Sequence, residues 1–360
     1  MRVCIVGGSG GVGKTTVAAA IAAGMAARGL KVAVVTIDPA RRLAEAIGLD
    51  DLDGEPHRVA PEPFAAAGLP IAGELWAMTL DPKRTFDELI ARLAPDAATR
   101  EQILANRVYR ELSDAIAGSQ EFTAVAKLHQ LVQEHDFDLL VLDTPPSRNA
   151  LDFLDAPDRL TRFFDGRALQ ALLRPSGAGM RLIGRGAGFA LGLLRRVTGA
   201  ELLRDLSEFL RLLGGLIGGF RTRAAEVEAL LRDPATTFLL VTSPEREPID
   251  EAIWFQRRLK DARMTLGGAI VNRLHADELG DADAAGLPEL LVAEAGLSPT
   301  LAQRVAAVFA DEHALALRDA ANVADLATRL GDDVPLLCVP LLDEDVHNAA
   351  GLGRLHRHLF

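Results

Sequence analysis

Gly8-Ser9-Gly10-Gly11-Val12-Gly13-Lys14-Thr15 decides the fold of this 360-residue chain. It satisfies the pattern G-x-x-x-x-G-K-[ST]. Glycines in such a loop let successive backbone N–H groups turn inward around phosphate oxygens, and the helix that follows adds the positive end of its dipole. A β-branched run at 3–6 precedes the loop and an Ala-rich helical pattern at 16–28 follows it. Strand, loop and helix in that order are the setting in which the motif cradles phosphate rather than making a glycine turn with an exposed lysine. Gly10, Gly11, Val12 and Gly13 then form the cradle. Lys14 is expected at the β- and γ-phosphates, the Thr15 hydroxyl on magnesium, and Thr16 at the α-phosphate.

Outward from the loop, short apolar runs recur at 31–37, 75–80, 138–142, 238–242, 268–272 and 334–339. Most are continuously apolar, as strands buried on both faces are. Helical patterns separate them. The expected fold is α/β, a P-loop NTPase: a mostly parallel twisted sheet flanked by helices.

Two regions break the alternation. Residues 83–135 are helical, with Phe86, Leu89, Ile90 and Leu93 at helical spacing. Residues 158–232 are a longer helical block without a strand. Its stretch 176–199 holds seven glycines, so a weak or mobile helix is expected there. Its stretch 200–232 carries Leu202, Leu206, Phe209, Leu210, Leu213, Ile217 and Phe220 at helical spacing. Gly214 with Gly218, and Gly215 with Gly219, lie one turn apart and would let another helix approach closely, within the fold or from a partner. The division expected is a P-loop domain at 1–157 and 233–360, a helical subdomain inserted at 158–232 after the strand at 138–142, and a further helical insertion at about 83–135. A third helical stretch, about 283–330, joins the last two strands.

The loop in the form Gly10-Gly11-Val12-Gly13-Lys14-Thr15-Thr16 resembles that of the deviant P-loop ATPases. Thr36-Ile37-Asp38-Pro39-Ala40-Arg41-Arg42-Leu43-Ala44-Glu45-Ala46 looks like the first switch of the ArsA family, and Asp143-Thr144-Pro145-Pro146-Ser147-Arg148-Asn149-Ala150-Leu151 looks like its second. The segments at 77–82 and 340–346 also fit that family's pattern. The family includes the arsenite-pump ATPase and the ATPase for guided entry of tail-anchored proteins. The resemblance implies ATP hydrolysis with ATP and Mg2+ as ligands. It implies that Asp38 positions the attacking water and that Asp143 holds magnesium through water and reports loss of the γ-phosphate. It also implies that Asn272, at a strand end, reads the purine edge while Pro340 and Leu341 pack on the ring. For Asp38 a helix-capping turn residue, and for Asn272 a strand-terminating turn residue, are the alternatives.

Ser9 departs from the pattern. The family usually has a lysine there, which reaches across a dimer to the other subunit's phosphates. Either Arg41 or Arg42 supplies the missing charge, or this subunit pairs with a related one that keeps the lysine. The expected partners are therefore a second copy in a homodimer or a related ATPase subunit in a heterodimer, with a hydrophobic client or membrane protein as cargo. An ATP-responsive scaffold that does not hydrolyse is the alternative function, and a partition-type ATPase a weaker one.

Composition narrows these readings. With 50 acidic and 39 basic residues the net charge is −11, which argues against a broad grip on nucleic acid. Hydrophobic residues make up 49% of the chain, too many for a disordered protein. No secretion signal and no 18-residue uncharged apolar run is visible, so a cytoplasmic protein is expected. Cys4 and Cys338 are the two cysteines. Both fall in expected buried strands and read as packing residues, which argues against an arsenite site of converging thiolates. There is no C-x-x-C pair for a shared zinc. His356 and His358 read as part of a solvated tail.

Overall fold

The computed structural model describes residues 1–37, 42–107, 109–110, 120–144, 185–278, 280 and 286–360, with the side chains at 120–123, 125, 185–204, 206, 207 and 210 outside the description. Its centre is a sheet of eight strands: β1 (Arg2–Gly8), β2 (Lys31–Thr36), β3 (His57–Arg58), β4 (Glu74–Thr79), β5 (Leu139–Asp143), β6 (Thr236–Thr242), β7 (Leu266–Leu274) and β8 (Leu336–Pro340). The order across the sheet is β3-β4-β2-β5-β1-β6-β7-β8. Every neighbouring pair is parallel except β3 with β4. The seven apolar runs become seven strands. β3, two residues long, is too short to leave a periodic signal.

The period of two along each strand sorts side chains into two cores. Val3 and Ile5 of β1, with Leu140 and Leu142 of β5, face one side. Cys4 and Val6, with Leu139 and Val141, face the other. The first side is covered by α6 (Gln120–Glu134), the end of α7 (Arg185–Arg232), α8 (Arg246–Asp261) and the end of α10 (Pro299–Leu330). The second is covered by α1 (Lys14–Ala27), α2 (Arg42–Ile47), α3 (Glu62–Ala66) and α11 (Ala349–Leu359). α9 (Leu287–Ala295) packs on α10.

A third core stands apart from the sheet. Phe86, Leu89 and Ile90 of α4 (Pro82–Leu93) and Ile103 of α5 (Ala97–Ala105) meet Phe209, Leu213, Leu216 and Phe220 of α7. Phe86 stacks on Phe220 with ring centroids 6.1 Å apart and on Tyr109 at 6.2 Å. The two helical insertions of the sequence thus share one apolar cluster. α4 is started by Asp81, whose side chain accepts from Arg84 N, with Pro82 at the first helical position. Asp96 caps α5 in the same way through Thr99 N.

Of the glycine-rich stretch, the described part lies within α7, with Gly186, Gly188, Gly192 and Gly199 along the helix, and 176–184 lie outside the described residues. Each glycine costs about 1 kcal/mol of helix propensity, but Ala, Leu and Arg lie between them. Two expectations are corrected. The C-terminus is not a solvated tail. Leu352 and Leu355 of α11 are buried in the second core, and His356 stacks on Phe360 under the Arg28 guanidinium. Cys338 is exposed rather than buried, because β8 is the edge strand. Among the described residues no helix is long and apolar enough to cross a membrane.

Candidate functional site

In a parallel sheet the carboxyl ends of all strands lie along one edge, where ligands bind in open α/β folds. The loop after β1 and the ends of β2, β5, β7 and β8 meet there. Gly13 precedes α1 with φ 91° and ψ 25°, left-handed backbone that suits glycine. No side chain caps α1 and no acid occupies its first turn, so its N–H groups and its dipole face the loop uncompensated. Lys14 is 7% exposed, and its Nζ donates to Ser9 O at 2.7 Å, folding over its own loop.

At the foot of the loop three oxygens converge. Asp143 is 1% exposed, and its Oδ2 accepts from Thr15 Oγ1 at 2.6 Å and from Thr36 Oγ1 at 2.8 Å. The register explains the second bond, since Thr36 and Asp143 are direct neighbours across β2 and β5. Thr144 next to it is tied to β1 through Oγ1 donating to Val6 O at 2.8 Å. A threonine hydroxyl and a carboxylate at a phosphate loop are the hard oxygen donors that suit Mg2+.

A cleft of about 500 Å³ opens over the loop. It is lined by Gly10, Gly11, Gly13, Lys14, Thr15 and Thr16, and also by Asn272, Pro340 and Leu341. Residues more than 300 positions apart in sequence are brought to one concavity. Val12 is not on its wall. Its side chain is 2% exposed in the second core, leaving its backbone to the loop. Asn272 is 8% exposed, and its Nδ2 donates to Val12 O at 2.9 Å. A Cβ on Gly13 would lie 2.4 Å from that amide nitrogen and would displace it from Val12 O. Asn272 therefore braces the loop as well as facing the cleft. Asp38, Arg41 and the part of the second switch beyond Thr144, 145–151, lie outside the described residues. Arg42, exposed at the start of α2, lines the cleft.

Two contacts had no signature in the sequence. Arg273 lines the cleft and its Nη1 donates to Gly11 O at 2.9 Å, from a backbone with φ 66°. Ser9 Oγ donates to Glu251 Oε2 of α8 at 2.6 Å, across 242 residues. Neither pairing has a fixed spacing that a motif could capture. The two thiols stand three strands apart, on β1 and β8, and the register also offsets them along the sheet, since Cys4 is level with Thr237 of β6 and Cys338 with Val271 of β7, itself level with Thr242. Burial pushes the Cys4 thiol up to about 12.

A glycine cradle at the carboxyl edge of a parallel sheet, with a buried lysine, a threonine hydroxyl and a strand-end aspartate, defines a P-loop NTPase of the α/β class. The sequence family described as anion-transporting ATPases, the ArsA ATPases, matches residues 1–211. This chain belongs to that family and is an ATP hydrolase. It is similar to the "ATPase ARSA2" of Chlamydomonas reinhardtii, at 28% identity over 75% of this chain and 67% of the relative. It is similar to the "ATPase GET3A" of Arabidopsis thaliana, at 27% identity over 76% of this chain and 67% of the relative. The "Uncharacterized protein SCO2128" of Streptomyces coelicolor matches at 28% identity over 74% and 68%.

Proposed function

We propose that this chain is a cytoplasmic Mg2+-dependent ATPase in which the state of the nucleotide shifts the helical lobe built on the third core. The single observation that carries the site is the convergence of Lys14, Thr15 and Asp143 under a cleft that also gathers Asn272, Pro340 and Leu341. Gly10, Gly11, Val12 and Gly13 offer backbone N–H groups to the phosphates, and Thr16 sits at the same wall. Lys14 leaves Ser9 O and turns to the β- and γ-phosphates. Thr15 and Asp143 hold the magnesium ion, which when bound offsets charge on the phosphate oxygens. Asp38 orients the attacking water, Asn272 meets the purine edge, and Pro340 and Leu341 cover the ring. The lobe at 158–232 with the insertion at 83–135 is the part that engages a hydrophobic client or membrane protein. That reading of the cargo rests on the resemblance to the family that includes the ATPase for guided entry of tail-anchored proteins.

The position of Ser9 supports a second reading of the assembly. Its hydroxyl is engaged by Glu251, so this residue offers no cation to a neighbouring subunit. A sister ATPase that keeps a lysine there would complete the pair, with this chain as its slow or regulatory member. Phosphate release with Mg·ATP tests both. We expect slow turnover by the chain alone, abolished in Lys14→Ala and in Asp143→Asn. Stimulation by a lysine-bearing sister subunit supports the heteromer; turnover equally fast without one excludes it. Tight ATP binding with no phosphate release under any condition would leave only the scaffold reading.

A further inference from the structure

An acid is buried in α10. Its inward face carries Ala302, Ala306, Ala316, Leu326 and Leu330, and Asp319 stands among them with 0% exposure. A buried carboxylate is costly unless its charge is paired and its oxygens are bonded. Asp319 is satisfied from two sides. Its Oδ1 accepts from Arg318 Nη2 at 2.7 Å, on the same helix. Its Oδ2 accepts from the backbone N of His275 at 3.1 Å and lies 2.7 Å from His275 Nδ1. An ionised carboxylate only accepts, so that ring nitrogen carries a proton. Burial pushes the Asp319 carboxyl up, but the bonds from His275 and Arg318 outweigh it and hold the group below the usual carboxylate range.

His275 is the first residue after β7, and the end of β7 is where the sheet stops holding its own strand. Pairing with β6 ends at Val271, and pairing with β8 ends at Leu274. Between the pairs Val271–Cys338 and Leu274–Pro340, β7 advances three residues while β8 advances two. The extra residue makes a bulge at Asn272 and Arg273, where Arg273 takes φ 66°. Bulges re-aim side chains beside functional sites. This one aims two at the phosphate loop, Asn272 Nδ2 at Val12 O and Arg273 Nη1 at Gly11 O, each at 2.9 Å. The next residue turns to the other wall of the cleft, since Leu274 O accepts from Leu341 N at 2.7 Å. Three consecutive residues thus fix the loop and the segment at Pro340 and Leu341. The fourth, His275, is clamped to α10. A second clasp follows two residues on, where His313 of α10 meets Asp277 at 2.7 Å. Neither Asp319 nor His275 lines the cleft, so any effect they have on a nucleotide is indirect.

We propose that Asp319 is a positioning residue for the nucleotide: through His275 it holds the β7 bulge, and the bulge holds the phosphate loop and the wall at Pro340 and Leu341. This rests on the reading that the cleft takes Mg·ATP, which Lys14→Ala tests by itself. Calorimetry of the full chain with Mg·ATP is the experiment, with phosphate release and thermal melts read beside it. His275→Ala and Asp319→Asn are each expected to weaken Mg·ATP binding roughly tenfold. KM should rise while kcat stays close to the parent's, because neither group reaches the reacting phosphate. His275→Asn, whose amide nitrogen takes the place of Nδ1, should recover most of the affinity. In an Arg273→Ala background His275→Ala should cost less, because part of what the clamp holds is already gone. Should Asp319→Asn fail to fold, the half-buried His275 carries the test with its two substitutions. Parent affinity in His275→Ala, with binding still lost in Lys14→Ala, overturns the proposal. So does a loss in His275→Asn as large as in His275→Ala, a fall in kcat with KM unmoved, or full additivity with Arg273→Ala. Binding unchanged in Lys14→Ala overturns the reading of the cleft, and the positioning role with it.

Discussion

Arg273 adopts a backbone conformation that glycine favours, and it does so beside the phosphate loop. Left-handed backbone costs a non-glycine residue about 1–2 kcal/mol, so something here outweighs that cost. The guanidinium bond to Gly11 O is the candidate, because with the Asn272 amide on Val12 O it fixes two successive loop carbonyls from one strand end. Arg273→Ala keeps the strain and loses the bond; Arg273→Gly loses both. Thermal melts should show the glycine variant more stable than the alanine variant by about 1 kcal/mol. Calorimetry should show both binding Mg·ATP more weakly than the parent. Full ATP affinity in Arg273→Gly would mean that the guanidinium does not hold the loop. The loop's own residues were legible because glycine, lysine and threonine at fixed spacing are a local code. Arg273 and Glu251 were not, because a clamp needs only reach and charge, and both come from distant chain.

At the scale of elements, α7 joins the lobe to the body, with Phe209 to Phe220 in the third core and Val227 and Leu231 against the sheet. A Cβ on Gly219 would lie 2.7 Å from Leu93 Cδ2 of α4, whereas one on Gly218 would meet nothing within 4 Å. Gly218→Ala should therefore stabilise by about 0.5–1 kcal/mol through helix propensity, and Gly219→Val should destabilise by about 1–3 kcal/mol through overpacking. Equal unfolding midpoints for the two would show that α4 does not close on α7 at this turn. The glycine strip of the sequence thus serves packing within the fold at Gly219. A second lock ties α6 to α7, where Arg223 Nη1 donates to His129 Nδ1 at 2.6 Å. Burial, and then the Arg223 charge, hold His129 below its ordinary value, with Glu226 opposing them and Gln133 also in reach. The neutral ring is the form the folded state favours. Its contribution is complete above pH 6.5 and is lost as pH falls through the depressed folded value. An NMR titration should place His129 below 6.5 in the parent and closer to it in Arg223→Ala; an unmoved titration would dissociate the ring from that cation.

For the whole molecule, two sheet cores and a third helical core are joined through α6 and α7, and the cleft sits at the sheet edge. A ligand that binds only the folded state at a hundred times its dissociation constant adds about 2.7 kcal/mol of stability. Mg·ATP should raise the unfolding midpoint of the parent and leave that of Lys14→Ala unchanged. If the lobe follows the nucleotide, amide exchange in α4 and α7 should also change on adding Mg·ATP. Protection confined to the loop and α1 would mean that the lobe does not respond.

The sequence by itself determined the class of fold, the place and composition of the phosphate loop, and the strands that lead to Asp143, Asn272 and Pro340. Each of these is written in a span of about ten residues, as a spacing of glycines or an unbroken apolar run that only a doubly covered strand can bury. Only the tertiary structure decided that Asn272 and Arg273 brace the loop, that Glu251 holds Ser9, that two separate helical insertions share one core, and that the last helix is packed rather than solvated. Those outcomes depend on which elements the crossovers set side by side. A chain's local pattern states what each segment can bury or donate, and the three-dimensional arrangement alone states to whom.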